Sequence, residues 1–229
     1  KTYNILFIGN SYTHYNDMPE QIFAKIMRAA GYKANVVRAT KGGWYLIDSA
    51  KSTDEVGSKV ESYFKARDYD FVILQEQSTC PAVFPDKFYT GVRNLTEKIR
   101  AEGATPILYG TWGRKTGHSV LTENGWTNES MTWLISAAYE AIGAELGIEC
   151  MTFYAFSTEN WKRPKEEIDG IMNLMRGYLK SMKKAANEHI AVRFIGDREP
   201  FDDDIKELIS EAESADVGEV ITTVQIALN

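Results

Sequence analysis

Ser11 is the first residue whose placement suggests chemistry. It follows the apolar run Ile5–Ile8 through Gly9 and Asn10 and precedes a segment with helical spacing, so a hydroxyl is delivered at the end of a buried strand. A serine there either caps the helix or acts as a nucleophile. Gly9 permits the tight turn, and the amides of the following helix would point toward the hydroxyl. Two other strand ends carry matching groups. "ATKGGWYL" places Gly42 and Gly43 where backbone can approach a ligand closely, and "FVILQEQS" brings Gln75, Glu76 and Gln77 to the same edge. A hydroxyl, a backbone N–H and a side-chain amide are what acyl transfer uses, a nucleophile with separate donors for the tetrahedral oxyanion.

A serine hydroxyl also needs a base to take its proton. The three histidines are His14, His118 and His189, and the positions three residues before them hold Ser11, Lys115 and Ala186, so none is preceded by aspartate at that spacing. His14 is too close to Ser11 in sequence for the usual geometry on the far side of the hydroxyl. His118, in "RKTGHSV", lies on the right edge of the sheet for substrate contact, or is simply an exposed loop histidine. His189 falls at the opposite end of a strand and is expected to be structural or solvated.

Alternation of strands and helices must position these groups. Apolar runs of strand length recur at Ile5–Ile8, Asn35–Val37, Phe71–Leu74, Pro106–Tyr109 and Ile148–Phe156. Between them, helical spacing covers Pro19–Ala30, Val56–Lys65, Phe88–Glu102 and Ser130–Leu146. Such alternation predicts an α/β fold with a parallel sheet and crossover helices, whose ligands bind outside the carboxyl ends of the strands. Past Pro164 the pattern continues with a helix to about Asn187, a strand at Ile190–Ile195, a helix at Asp202–Glu213 and a strand at Glu219–Leu228. No linker, repeat or low-complexity tract separates the parts.

On the block G-N-S-Y-T at Gly9–Thr13, with the strand ends quoted above, residues 1 to about 147 resemble an SGNH (GDSL-type) hydrolase. The resemblance implies a flavodoxin-like three-layer α/β/α domain and a serine esterase acting on a small-molecule ester, often an acylated carbohydrate. By position, Ser11 is then nucleophile and first oxyanion donor, and Gly43 donates through its backbone N–H. The third donor is Gln77, or Gln75 if the branch with a glutamine two residues earlier applies. Asn10, Trp44 and His118 become substrate contacts. The D-x-x-H motif that supplies the family's base is missing, which puts activity in doubt. Glu159 is the carboxylate that could approach in its place.

From about 146 to 229 the sequence resembles a different family. "FYAFSTENWKRP", "VRFIGD" and "TTVQIALN" are similar to undecaprenyl diphosphate synthase, a cis-prenyltransferase. This resemblance implies that Ser157, Asn160, Trp161 and Arg163 sit where that family handles isopentenyl diphosphate, a guanidinium being suited to gripping a diphosphate. The D-G-N-G-R-W motif with the metal-binding aspartate does not occur, and the family's diphosphate-binding arginines lie beyond A-L-N. Prenyl transfer by these residues alone is not expected. The chain reads as a composite: domain 1–147 of SGNH type, then 148–229 as a prenyltransferase-like fragment that could supply the fifth strand of the first sheet. Both families have a helix ending in Leu-Gly before a buried strand, so the join is placed near "GAELGIEC".

Composition narrows the partners. Net charge is −6, and the whole acidic excess lies after residue 148, which argues against nucleic acid, since binding it requires a basic face. Cys80 and Cys150 fit neither a disulfide framework nor zinc spacing, and no metal or cofactor is expected. No stretch reaches the roughly 18 apolar residues of a membrane span. The start at Lys1 shows no basic-then-apolar leader, which suits a cytoplasmic protein, or a secreted one if a leader precedes residue 1. A second function class remains open, a catalytically silent binding domain in which Trp44, Trp112 and Trp126 hold a sugar or acylated ligand. Oligomeric state is not legible.

Overall fold

The computed structural model describes residues 1–148, 150–156, 158–185, 190–219 and 222–228. Ser157 and His189 lie outside the described residues, as does the side chain of Glu159. The chain divides into two compact units, Lys1–Leu146 and Gly147–Asn229.

The first unit is built on four parallel strands. In chain order it runs β1 (Thr2–Gly9), α1 (Ser11–His14), a 3₁₀ turn (Tyr15–Asp17), a π-helical turn (Met18–Phe23), α2 (Ala24–Ala29), β2 (Lys33–Thr40), α3 (Leu46–Ser49), α4 (Glu55–Ala66) and β3 (Phe71–Leu74). It continues through α5 (Cys80–Val83), α6 (Pro85–Ala101), β4 (Thr105–Leu108), α7 (Ser119–Asn124) and α8 (Asn128–Glu145). Strand order is β2-β1-β3-β4. Registers run Thr2↔Lys33 to Gly9↔Thr40 between β1 and β2, and Ile5↔Phe71 to Ile8↔Leu74 between β1 and β3. In β1, Ile5 and Phe7 point to one face and Leu6 and Ile8 to the other, and all four are at most 2% exposed. Both faces are therefore covered by helices, as a parallel sheet requires. Ile5, Phe7 and Ile73 form one core cluster, with Met18, Phe23 and Met27 packed on it. The order matches the flavodoxin-like arrangement, whose switch point lies between β1 and β3.

Helix ends follow local chemistry. Asp54 caps α4 by accepting from the Val56 and Gly57 amides at 2.8 and 3.3 Å, and Thr127 with Ser130 forms a capping box at the start of α8. The single helix expected over Pro19–Ala30 is instead a π-helical turn followed by α2. Asn16 and Asp17 are both left-handed, at φ 55° and 49°, so the helix is entered at Met18 from a kink; its first turn is π-helical, and α-helical bonding begins at Ala24.

The second unit holds β5 (Cys150–Phe156), a 3₁₀ turn (Thr158–Lys162), α9 (Lys165–Ala185), β6 (Ile190–Gly196), α10 (Asp203–Glu213) and β7 (Thr222–Leu228). Its three strands are parallel in the order β5-β7-β6. The strand at 150–156 thus does not join the first sheet as a fifth strand. Its ladder partner is β7, in register from Cys150↔Thr223, and the apolar β7 satisfies the backbone groups the first sheet was expected to pair. No helix among the described residues is long and apolar enough to cross a membrane.

Candidate active site

Three loops meet at the carboxyl ends of β1, β2 and β3, and Asn10 ties them. Its side chain is 1% exposed; Nδ2 donates to Trp44 O at 3.1 Å, its backbone N–H donates to Gln75 Oε1 at 3.1 Å, and its Oδ1 accepts from Tyr12 N at 3.2 Å. Asn10, and not Ser11, is therefore the helix cap, with its amide bonded within these loops. Gly9 makes this closure possible: a Cβ there would lie 2.5 Å from Thr13 Oγ1 and 2.9 Å from Gln75 Oε1.

Ser11 opens α1 with an exposed side chain. Among the described residues neither its Oγ nor its N–H has a hydrogen-bond partner. Gly43 likewise keeps its N–H unspent, in a left-handed turn at φ 69° with open space around the Cα. Gln75 is turned inward: Oε1 accepts from Asn10 N and from Thr13 Oγ1 at 2.8 Å, while Nε2 donates to Glu76 O. Gln77 is held the opposite way. Its Oε1 accepts from Thr79 N, Thr79 Oγ1 and Cys80 N at 2.8, 2.9 and 3.0 Å, which fixes the amide orientation and leaves Nε2 with no partner among the described residues. Of the two glutamines, the one with a donor to spare is Gln77.

Trp44 donates Nε1 to Asp54 Oδ1 at 2.9 Å, and Lys41 Nζ lies 3.8 Å from its ring centroid. One indole face is thereby taken by a cation. His118 caps α7, its Nδ1 accepting from Val120 N at 3.2 Å, and His14 Nδ1 lies 3.2 Å from Thr40 Oγ1. Neither histidine is bonded to Ser11. Cys80 offers no alternative nucleophile, since burial pushes its thiol up to about 12.

Several residues unassigned from the sequence shape the site. Glu76 is fully buried; Oε1 accepts from Leu46 N at 3.1 Å and Gln77 N at 2.6 Å, and Oε2 is buried without a partner among the described residues. Burial raises its pKa to about 7, against the two N–H donors that favour the charged form. Arg114, in the segment after β4, donates to Tyr12 Oη at 3.1 Å and Ser78 Oγ at 2.6 Å. Strand and helix spacing carry no signal for such contacts. A shallow depression bounded by Lys1, Tyr3, Tyr32 and Lys33 lies at the opposite, amino ends of β1 and β2 and brings no nucleophile or donor set together.

In the second unit Trp161 packs against Phe156 and Phe201, with centroids 4.9 and 5.5 Å apart, and Phe156 and Phe201 meet at 5.6 Å. Arg163 pairs with Glu167 at 3.2 Å, and Asn160 O accepts from Arg163 N at 3.1 Å. The indole is thus committed to the core of this unit. No three histidine, cysteine, aspartate or glutamate residues cluster as metal ligands among the described residues.

Comparison with known proteins divides the chain along similar lines. Residues 111–229 match the family model described as "Putative undecaprenyl diphosphate synthase". The isoprenyl transferase of Agrobacterium fabrum is 36% identical over 98 residues, covering 42% of this chain and 40% of that protein. The ditrans,polycis-undecaprenyl-diphosphate synthase of Escherichia coli is 33% identical over 141 residues, covering 59% of this chain and 54% of that protein. The chain thus spans about half or less of the length of these relatives. Among solved structures, a "putative SGNH hydrolase" from Slackia heliotrinireducens superposes with a TM-score of 0.56 at 28% identity, covering 64% of this chain and 77% of that one. The family match opens at residue 111, ahead of the join expected near residue 146, although 111–146 pack within the first unit. A composite chain accounts for both sets of relatives. Through residues 111–229 it belongs to the undecaprenyl diphosphate synthase family, while its amino-terminal part has SGNH hydrolases as structural neighbours.

Proposed function

We propose that the first unit carries a serine ester hydrolase site of SGNH type, acting on a small acyl ester such as an acylated carbohydrate. The observation that supports it most is the distribution of unspent groups. A free hydroxyl and its own N–H on Ser11, the Gly43 N–H and the Gln77 Nε2 stand on three loops tied by Asn10 and Gln75. Ser11 Oγ would attack the carbonyl carbon as its proton passes to a base. The carbonyl oxygen takes the electron pair and is held by the three donors. Collapse expels the alcohol, and water then releases the acyl group from Ser11. With neither His14 nor His118 bonded to Ser11, proton removal is the weak step, and turnover is expected to be slow.

Mass spectrometry after treatment with a fluorophosphonate tests this reading. An adduct on Ser11 that is absent in Ser11→Ala supports it, and no adduct on the folded chain rejects it.

The absence of a bonded base favours a second reading, a silent binding domain. Ligand binding that survives Ser11→Ala while no ester is cleaved would establish that alternative. For the second unit, family membership supports isoprenyl diphosphate binding, whereas the packed Trp161 and paired Arg163 favour a loop kept for structure. Absence of a thermal shift with millimolar isopentenyl diphosphate would decide for structure.

A further inference from the structure

Arg114 supplies a cation that no step above uses. Its two bonded partners, Tyr12 Oη and Ser78 Oγ, are neutral hydroxyls, and its Nε is buried with no acceptor. Among the described residues no acid pairs with it. Other cations on this edge do have acids: Arg38 pairs with Asp17 at 2.7 Å and Glu20 at 3.2 Å, and Lys41 pairs with Glu55 at 2.7 Å. Hydroxyls orient a guanidinium without neutralising it, and a partly desolvated cation is favoured when an anion completes it. Tyr12 follows Ser11 directly and Ser78 follows Gln77 directly, so the cation is held by the neighbours of the nucleophile and of the third donor. Two residues before it, Trp112 is 53% exposed and meets the Tyr12 ring edge-on at 5.4 Å, which leaves indole surface for a ligand ring.

We propose that this site takes an ester that also bears a carboxylate, recognised by Arg114 through the Nη1 and Nη2 N–H groups not given to Tyr12 and Ser78, with Trp112 against the body of the ligand. The position of the ester rests on the hydrolase reading; the charge preference rests on Arg114. The carboxylate could belong to the alcohol half, as in an acylated acidic sugar, or to the acyl half, as in a dicarboxylic half-ester.

Calorimetric titration of the full chain carrying Ser11→Ala, which turns nothing over, distinguishes these sources. Galacturonic acid and its methyl ester probe the alcohol half; monoethyl and diethyl glutarate probe the acyl half. In at least one pair the charged ligand should bind about tenfold more tightly than its neutral partner, a gap lost in Arg114→Gln and partly kept in Arg114→Lys. Equal affinities within both pairs, no binding by any of the four, or a gap unchanged in Arg114→Gln would each overturn the proposal. The parent comparison decides even if Arg114→Gln does not fold. A fluorophosphonate adduct on Ser11 without a charge preference ends this proposal and leaves the hydrolase reading standing; a preference without an adduct does the reverse.

Discussion

Glu76 Oε1 accepts the Leu46 N–H at 3.1 Å, so one buried carboxyl group joins the loop after β2 to the end of β3. The same oxygen accepts from Gln77 N, which places Glu76 between the loop that carries Gly43 and the glutamine with the free amide. Lys87, Asp48, Cys80 and Tyr139 face it from α6, α3, α5 and α8, and Tyr45 from the position just before α3.

Stability should fall with rising pH because of this group. Its folded pKa of about 7 lies above the unfolded value of 4.5, so the folded chain keeps a proton that the unfolded chain has released. The contribution is whole below pH 4.5 and is lost as pH rises through 7. It amounts to about 3 kcal/mol. Urea midpoints measured at about pH 5 and about pH 8 should differ accordingly, and Glu76→Gln should flatten the difference.

Gln77 separates capping from catalysis. Gln77→Glu keeps an oxygen for the Thr79 and Cys80 amides but has no N–H to give, so its unfolding midpoint should stay near the parent's. Fluorophosphonate labelling of Ser11 should slow by about a hundredfold. Gln77→Ala should lose the same labelling and, in addition, about 1 kcal/mol of stability. Equal labelling of Gln77→Glu and parent would remove Gln77 from the oxyanion site.

A methyl group at position 9 should be costly. The nearest atoms to the added Cβ of Gly9→Ala are Thr13 Oγ1 and Gln75 Oε1, both in the network that holds Asn10, with Gln75 O at 3.1 Å behind them. Thermal unfolding should report a loss of about 1–3 kcal/mol, with reduced labelling of Ser11 as its loop moves.

Trp161→Ala tests whether the indole holds the second unit together. Removing it from between Phe156 and Phe201 should cost about 3–5 kcal/mol. Limited proteolysis should then cut within 147–229 while the first unit persists. Proteolysis unchanged from the parent would mean that the ring is dispensable to the fold.

The strands of the first sheet were legible because each is an apolar run ended by polar or glycine residues, and β1, β3 and β4 fall within a residue or a few of the positions read from sequence. The site edge followed from the parallel order. Roles decided by side-chain direction were not legible. Gln75 and Gln77 have the same chemistry and, two residues apart just past β3, no strand period separates them, so a choice between them needed the partners of each amide. Arg114 lies 102 residues from the Tyr12 it bonds, a pairing no local pattern encodes. The helix read over Pro19–Ala30 is present over residues 18–29, but its opening π-helical turn, entered from two left-handed residues, was not legible from an apolar period. The placement of β5 failed because an apolar run shows that a strand is buried without showing which neighbour it pairs with.

The order β5-β7-β6 makes the strand synthesised last of the three the central one. Neither β5 nor β6 has a ladder partner until Thr222–Leu228 emerges from the ribosome, whereas every strand of the first sheet is complete by Leu108. The first sheet therefore has all its strands while the second still lacks its central one. During that interval two apolar strands are without pairing, and unpaired strand edges are open to chaperones and to other copies of the chain.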